Sequence, residues 1–514
     1  MASSSLLRWT PSQAVYQLRV RPVGALTWVN IPLPPFTPAT PYECELLPAD
    51  ATTPVTPVTP VTPVTPAVGV KAVRVADILE PFGWNGFPSD SATANVFGAW
   101  PGDFSLASAT KAKQYVGAYT FGYRAYFYAS DRGMMEPYGK ALHAATGQRF
   151  TISVGANATT ADATALASML LASAASDGWI EQVEGSNEPN NGEFGGTTVP
   201  PDTVVAIQKI LWTAGQQSKT MAWPVLVAGP SIIAGMPRPE GWIMPLGPNP
   251  GPQEEPGFFN AAQLAAIRAT MEKINGHFYP PGHPDLASGG RGSWMADYVA
   301  GLKVAYGDMP VDLTEGHPTL FGAHTLDPAY DAYYGLCTLF SVFKAGVKSY
   351  YWYAMVDYGQ KDVTDPVTKK VSQVPVYASG FFPQTGGAAP RPVAAALAAL
   401  MALAPDPSAN RRTFTPGNLD FTIDGMVANG DAGDQFLLSQ NAAGTFFLDI
   451  WRGQDAINGA VSNKVVHFMT PVKRVTLYKP SDATAPGKIL QDITNASAMT
   501  VPLNGAVFHL VIQP

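Results

Sequence analysis

The chain has 514 residues, of which 46% are hydrophobic, 11% aromatic and only 14% charged. That is too long for one ordinary domain and apolar enough for a large core. A net charge of −7 argues against nucleic acid, which calls for clustered Lys and Arg, and no apolar run reaches the about 18 residues of a membrane-spanning helix.

The first 53 residues contain two strand-like pieces, "YQLRVRPV" and "TPYECELL". They are expected to form a small β-rich segment, either resembling a shortened fibronectin type III module or packed as a small sheet against the next domain. The opening "MASSSLLRWTPSQAVYQLRV" lacks a basic start followed by a long apolar stretch and does not read as a secretion signal. Residues 54–67 hold "PVTPVTPVTPVTP", where proline at every third position dictates an extended, semi-rigid spacer. Cys44 and Cys337 fall in different predicted domains, so neither a structural disulfide nor a Cys-rich metal site is expected.

From 68 to 404, short apolar runs alternate with amphipathic stretches. Eight runs read as strands: "VRVADILEPF", "GYRAYFYA", "RFTISVGA", "WIEQVEGS", "VLVAG", "KINGHFY", "PVDLTE" and "KSYYWYAM". Between them, Val204, Ile207, Leu211 and Ala214 recur at helical spacing. So do Leu264, Ile267, Met271 and Ile274, behind a cap formed by Asn260 and Gln263. "RPVAAALAALMALA" closes the series. Eight alternations over this length predict an α/β fold, a (β/α)8 TIM barrel. An open doubly wound sheet also alternates, but no Gly-rich phosphate loop comes after the first strand. After 405, short strands separated by Gly, Asn and Pro turns predict an antiparallel β-sandwich to 514, with Asn441 to Gly444 as a hairpin loop.

Barrel enzymes place their chemistry at the C-terminal ends of strands. "VEGSNEPNN" ends the fourth strand with Glu188, and "VDLTEGHPT" ends the seventh with Glu315. Two carboxyl groups facing each other across a barrel mouth suit glycosidic bond cleavage, one as acid and one as nucleophile. Asn187 is placed to hydrogen-bond a sugar hydroxyl. Glu184 shares the strand face of Ser186 and Glu188, either as a buried support or in direct contact with the reacting groups. His277 and His283 lack a matching carboxylate cluster, so no metal is expected. Glu80, Glu193 and Glu240 read as solvated loop acids, and Trp242, in a long Pro- and Gly-rich loop, as a candidate sugar contact.

The motifs "EGSNEPN" and "LTEGH" resemble those of glycoside hydrolase clan A, and the strand-four form is closest to family 39. That resemblance covers residues from about 70 to 514 and implies Glu188 as acid/base and Glu315 as nucleophile. It also implies His277 and Tyr279 near the nucleophile ("GHFYP"), Arg124 as the basic residue that keeps the nucleophile ionised ("GYRAYFY"), and Trp352 as a platform under the sugar ("YYWYAM"). Ser186, where the family often has a large aromatic, and Gly316 with His317 after Glu315 depart from the pattern and bear on pocket shape. The expected activity is a retaining, cofactor-free glycoside hydrolase acting on a polysaccharide or oligosaccharide, with exo-acting β-xylosidase-like action as the nearest variant. The alternative is a non-catalytic carbohydrate-binding or host-recognition protein, phage tail-associated for example, on a decayed barrel.

Overall fold

The structure, a computed structural model, describes residues 69–88, 103–104, 110, 112–114, 119, 122–190, 199–231, 258–278, 294–317, 328–353, 358–364, 371–377, 381, 390–426, 433–452, 461–482, 485 and 487–514, with strand residues 5–9, 18–20, 29–31 and 42–46. Met1–Thr62 forms one compact unit and Pro63–Pro514 another. In the first, Ser5–Trp9 pairs antiparallel with Tyr42–Leu46, and Leu18–Val20 with Val29–Ile31.

The second unit is built on eight parallel strands: β1 (Phe82–Asn85), β2 (Gly122–Phe127), β3 (Phe150–Val154), β4 (Ile180–Ser186), β5 (Leu226–Ala228), β6 (Ile274–His277), β7 (Val311–Gly316) and β8 (Val347–Trp352). Their order across the sheet runs β5-β4-β3-β2-β1-β8-β7-β6. A parallel bridge from Ala228 to Lys273 joins the two ends, so the sheet closes into a barrel. Helices come after β2 to β8 in turn: α1 (Arg132–Thr146), α2 (Thr160–Ala175), α3 (Pro201–Ser218), α4 (Ala261–Arg268), α5 (Trp294–Tyr306), α6 (Pro328–Lys344) and α7 (Pro392–Leu403). Among the described residues, no helix is long and apolar enough to cross a membrane.

Hydrophobic spacing explains the helix packing. On α3, the expected face of Val204, Ile207, Leu211 and Ala214 is at most 4% exposed, and each fully buried aliphatic contributes roughly 1.5–3 kcal/mol. The Asn260–Gln263 capping box starts α4 as expected. The helix then stops at Arg268, short of the run to Ile274. Thr270 Oγ1 donates back to the Ala266 carbonyl at 2.7 Å. The Glu272 amide then turns to the Val227 carbonyl at 2.7 Å, and Ile274 opens β6. Strand pairing outweighs helical spacing there.

The first expected strand is displaced too. Val75–Leu79 is a short helix burying Val75, Ile78 and Leu79, and the first barrel strand is the "FGWN" immediately after it. Spacing of i, i+3 and i+4 identifies a helical face more than a strand. Residues 70–74, read from sequence as barrel, pair instead with the C-terminal strands: Val70–Lys71 with Asn418–Leu419, and Val73–Arg74 with Ser439–Gln440. Glu80 is not a solvated loop acid. Its carboxylate binds Arg411 at 2.6 Å and also Arg412, and its side chain is largely buried.

The C-terminal sheet contains β9 (Phe421–Asp424), β10 (Asp434–Gln440), β11 (Phe446–Arg452), β12 (Ser462–Tyr478), β13 (Ile489–Leu503) and β14 (Phe508–Gln513). β10 and β11 form the expected hairpin, with Gly444 at φ 90° in its loop. β12 and β13 are longer than the sequence suggests. Their ladder breaks register between His467 and Val472, a bulge that bends a long strand. One half of β12 therefore pairs with β9 and the other with β14, and a core including Phe421, Val466, Leu477, Met499 and Leu510 fills the space between. Trp451 of β11 stacks on Phe340 of α6 at 4.8 Å between ring centroids, fixing this sheet to the barrel wall.

Candidate active site

Strand alternation decides which residues face the barrel axis. On β2, Tyr123, Ala125 and Phe127 are buried in the apolar layer under the helices, while Arg124 and Tyr126 take the opposite face. Arg124 is 0% exposed and all three of its nitrogens are engaged. Nε donates to Glu184 Oε2 at 2.9 Å, and Nη1 to Asn85 Oδ1 at 3.0 Å and Glu315 Oε1 at 2.7 Å. Nη2 donates to Asn187 Oδ1 at 2.8 Å. Burial opposes the guanidinium charge, but the Glu184 and Glu315 carboxylates outweigh it and hold its pKa well above the ordinary arginine value. A fixed cation thus links the ends of β1, β4 and β7.

Glu315 lies at the end of β7, 4% exposed, and its Oε1 also accepts from the Tyr126 hydroxyl. Burial, then the Glu315 charge, push the Tyr126 phenol well above its usual range, so it remains a proton donor. Glu188, also 4% exposed, comes just after β4 at φ 40°, a left-handed conformation uncommon for a side chain of this kind. Its amide donates to the Ser231 carbonyl at 2.8 Å, and the Asn187–Ser231 bridge carries β4–β5 pairing one step beyond the strands. That turn presents the carboxyl to His277, whose Nδ1 lies 2.7 Å from Glu188 Oε1 and 3.5 Å from Glu315 Oε2. His277 Nε2 faces Arg124 Nη2 at 3.4 Å. Arginine can only donate, so the network assigns the ring hydrogen to Nδ1, donating to Glu188.

One oxygen each of Glu188 and Glu315 and a nitrogen of His277 lie within 4.8 Å of one another. Three such ligands have the composition of a cation site. The Arg124 guanidinium 2.7 Å from Glu315 already supplies the positive charge there.

The sequence-expected residues do not all occupy the same layer. Glu188, Glu315, Asn187, His277 and Arg124 meet at the barrel mouth. Glu184 is 0% exposed and touches Arg124 and Thr314, a support beneath the carboxylates. Trp352 is 2% exposed, with Phe82, Tyr350, Phe381 and His317 around its ring. Tyr279, Trp242, His283, Glu193 and Glu240 lie outside the described residues.

Three members of the cluster were not singled out from sequence: Asn85, Tyr126 and Ser231. Tyr126 was legible in "GYRAYFY", two positions from Arg124 and so on the same strand face. Asn85 was hidden by placing the first strand one element early. Its Nδ2 donates to the Thr314 carbonyl at 2.7 Å and the Tyr351 carbonyl at 3.2 Å, which ties β1 to β7 and β8.

Gly316, a departure from the family pattern, has a steric reason. A Cβ there would stand 2.3 Å from the Phe278 carbonyl oxygen and 2.9 Å from the Tyr350 hydroxyl. The Phe278 amide donates to the Glu315 carbonyl at 2.9 Å, so backbone cannot retreat without moving Glu315. Gly316→Ala is expected to destabilise by roughly 1–3 kcal/mol, the cost of overpacking, and to lower kcat more than it raises KM. Chemical denaturation and steady-state kinetics on one preparation check both.

No protein-family model and no curated protein matches the sequence. Solved structures do match. A glucosidase from Croceicoccus marinus aligns with a TM-score of 0.50 at 13% identity, over 87% of this chain and 97% of its own. The GH39 enzyme from Xanthomonas axonopodis pv. citri gives 0.52 at 13% identity, over 87% and 97%. A GH39 β-xylosidase from Caulobacter crescentus gives 0.50 at 12% identity, over 87% and 98%. The chain therefore shares the fold of these solved structures, a (β/α)8 barrel carrying a C-terminal antiparallel sheet.

Proposed function

We propose that the protein is a retaining glycoside hydrolase acting on an oligosaccharide or polysaccharide, with Glu188 as acid/base and Glu315 as nucleophile. One observation carries this reading: two buried carboxylates end β4 and β7 with oxygens within 4.8 Å of each other. Retaining enzymes hold their carboxyl groups about 5–5.5 Å apart, whereas inverting ones need about 6.5–9.5 Å to admit a water. The surroundings divide the roles. Glu315 accepts from Arg124 and Tyr126, which favours its anion. Glu188 accepts from His277 through Oε1, and in this reading it supplies the proton for the departing oxygen.

In the first step a Glu315 oxygen bonds to the anomeric carbon as the glycosidic C–O bond breaks, and the Glu188 proton passes to the leaving oxygen. In the second, Glu188 takes a proton from water, the water oxygen bonds to the anomeric carbon, and Glu315 departs as a carboxylate. Asn187, whose Oδ1 is held by Arg124, retains its two N–H donors for a sugar hydroxyl. The Pro/Thr spacer of residues 54–67 suits work on a large or surface-bound polymer.

The test is a hydrolysis panel of aryl β-D-glucosides, β-D-xylosides and bacterial polysaccharides, with the first-formed anomer read by proton NMR. Retained configuration is the expected result. Inverted configuration overturns the two-step mechanism, and glycan binding without turnover favours the recognition-protein alternative.

A further inference from the structure

We infer that the barrel interior beneath the carboxylates is a binding site for water, lined by Gln182, Glu184, Asn275 and Asp312. The inference holds whatever reaction the barrel mouth performs. Gln182, Asn275 and Asp312 stand two positions before Glu184, His277 and Thr314 on β4, β6 and β7. They therefore share the inward face one layer deeper, and each is at most 2% exposed. Tyr351 of β8 fills the β1–β2 side of this layer. Its ring takes the space that a side chain at Gly83 would need, with a Cβ there 2.6 Å away, and its hydroxyl would stand 2.8 Å from a Cβ at Gly122. That hydroxyl lies 2.7 Å from Thr151 Oγ1. Burial, then the charge of Glu181 and those of Asp312 and Glu184, hold the phenol well above its usual range.

Among the described residues, four polar atoms in this space have no hydrogen-bond partner: Gln182 Nε2, Asn275 Nδ2, Asp312 Oδ1 and Glu184 Oε1. Two are donors and two are carboxylate acceptors. Asp312 Oδ2 accepts from Lys273 Nζ at 2.9 Å, and Glu184 Oε2 from Arg124 Nε at 2.9 Å, so each carboxylate is satisfied on one side. Turning the Asn275 amide over moves the defect without removing it. Thr314 Oγ1 carries one proton and lies 2.5 Å from Asn275 Oδ1 and 3.3 Å from Glu184 Oε2. With the amide reversed, Nδ2 donates to Thr314, the Thr314 proton goes to Glu184, and Asn275 Oδ1 loses its donor. Buried polar groups left unbonded are costly, most of all on a carboxylate. A cation would suit the two carboxylates and oppose the two amide donors. Water donates and accepts, so it satisfies all four. Bound there, it completes the surroundings of Glu184, whose other oxygen holds the Arg124 fork, and the layer of Glu188 and Glu315 rests partly on solvent.

A high-resolution crystal structure of the full chain is expected to show about two ordered waters here, since a buried water makes about three hydrogen bonds. They should touch Glu184 Oε1 and Asp312 Oδ1. Gln182 or Asn275 turned directly onto a carboxylate overturns the inference, and so does a metal ion in this space. Gln182→Met tests it in solution, because methionine keeps the length of the side chain and removes the donor. If Nε2 binds water, the unfolding equilibrium constant from denaturant melts should rise about five-fold, the value of one hydrogen bond. In a dry core the substitution removes a defect, and an unchanged or lowered constant overturns the inference. If Gln182→Met does not fold, the wild-type crystal structure decides alone.

Discussion

Glu315→Gln is expected to reduce kcat by about 10³-fold or more on any substrate, with little loss of stability. Glutamine has the shape of glutamate, and its carbonyl oxygen can still accept from Arg124 and Tyr126. Under the proposed mechanism the carboxylate that bonds to the anomeric carbon is then gone, and no glycosyl-enzyme should form. Glu188→Gln should behave differently. If Glu188 is the acid/base as proposed, its loss removes the proton for the leaving oxygen, which a dinitrophenolate does not need, so the first step should survive with activated aryl glycosides. The second step, lacking its base, stalls and produces a burst. Azide, a nucleophile that needs no base, should restore turnover in Glu188→Gln and release a glycosyl azide of retained configuration, while doing nothing for Glu315→Gln. If azide rescues the Glu315 variant instead, the two roles are reversed. Activity in both variants equal to wild type would remove both residues from the mechanism.

Arg124→Met is expected to be the most destabilising single change in the site. The guanidinium is 0% exposed and contacts Glu184, Glu315, Asn85 and Asn187 at 2.7–3.0 Å. Removing one partner of a buried ion pair costs about 3–5 kcal/mol because the other charge is left without compensation, and here two carboxylates share the loss. Denaturant midpoints measure it. Arg124→Lys should recover only part, since a point charge cannot bond four acceptors at once as a planar fork does. The arginine contribution should not vary over accessible pH. A raised folded-state pKa gives stability that is fully present below the unfolded value, and both values lie above the range in which the protein is handled. A lysine variant as stable and active as wild type would show that charge alone, and not the fork, organises the site.

The alternation of strands and helices, the β-rich C-terminal region and the carboxylates ending the fourth and seventh strands are all legible in the chain before it folds. These features are carried by near neighbours: the helical spacing of Val204, Ile207, Leu211 and Ala214, the Asn260–Gln263 cap, the hairpin loop from Asn441 to Gly444, and the short motifs around Glu188 and Glu315. Local spacing reports which face of an element is apolar, and it does so without knowledge of what covers that face. Other features arise only when distant segments meet. Residues 70–74 join the C-terminal strands because Asn418, Leu419, Ser439 and Gln440, far along the chain, offer backbone partners. Trp352 is enclosed among Phe82, Tyr350 and Phe381, and Glu80 is paired with Arg411 and Arg412. Above all, folding sets Arg124 among Asn85, Glu184, Asn187 and Glu315 and places Tyr126 on the same oxygen of Glu315. Barrel closure brings strand ends within hydrogen-bonding distance although 229 positions separate Asn85 from Thr314 and 266 separate it from Tyr351. Hydrogen-bond partners at that separation are fixed by strand register around the barrel, a property of the closed sheet and of no single segment.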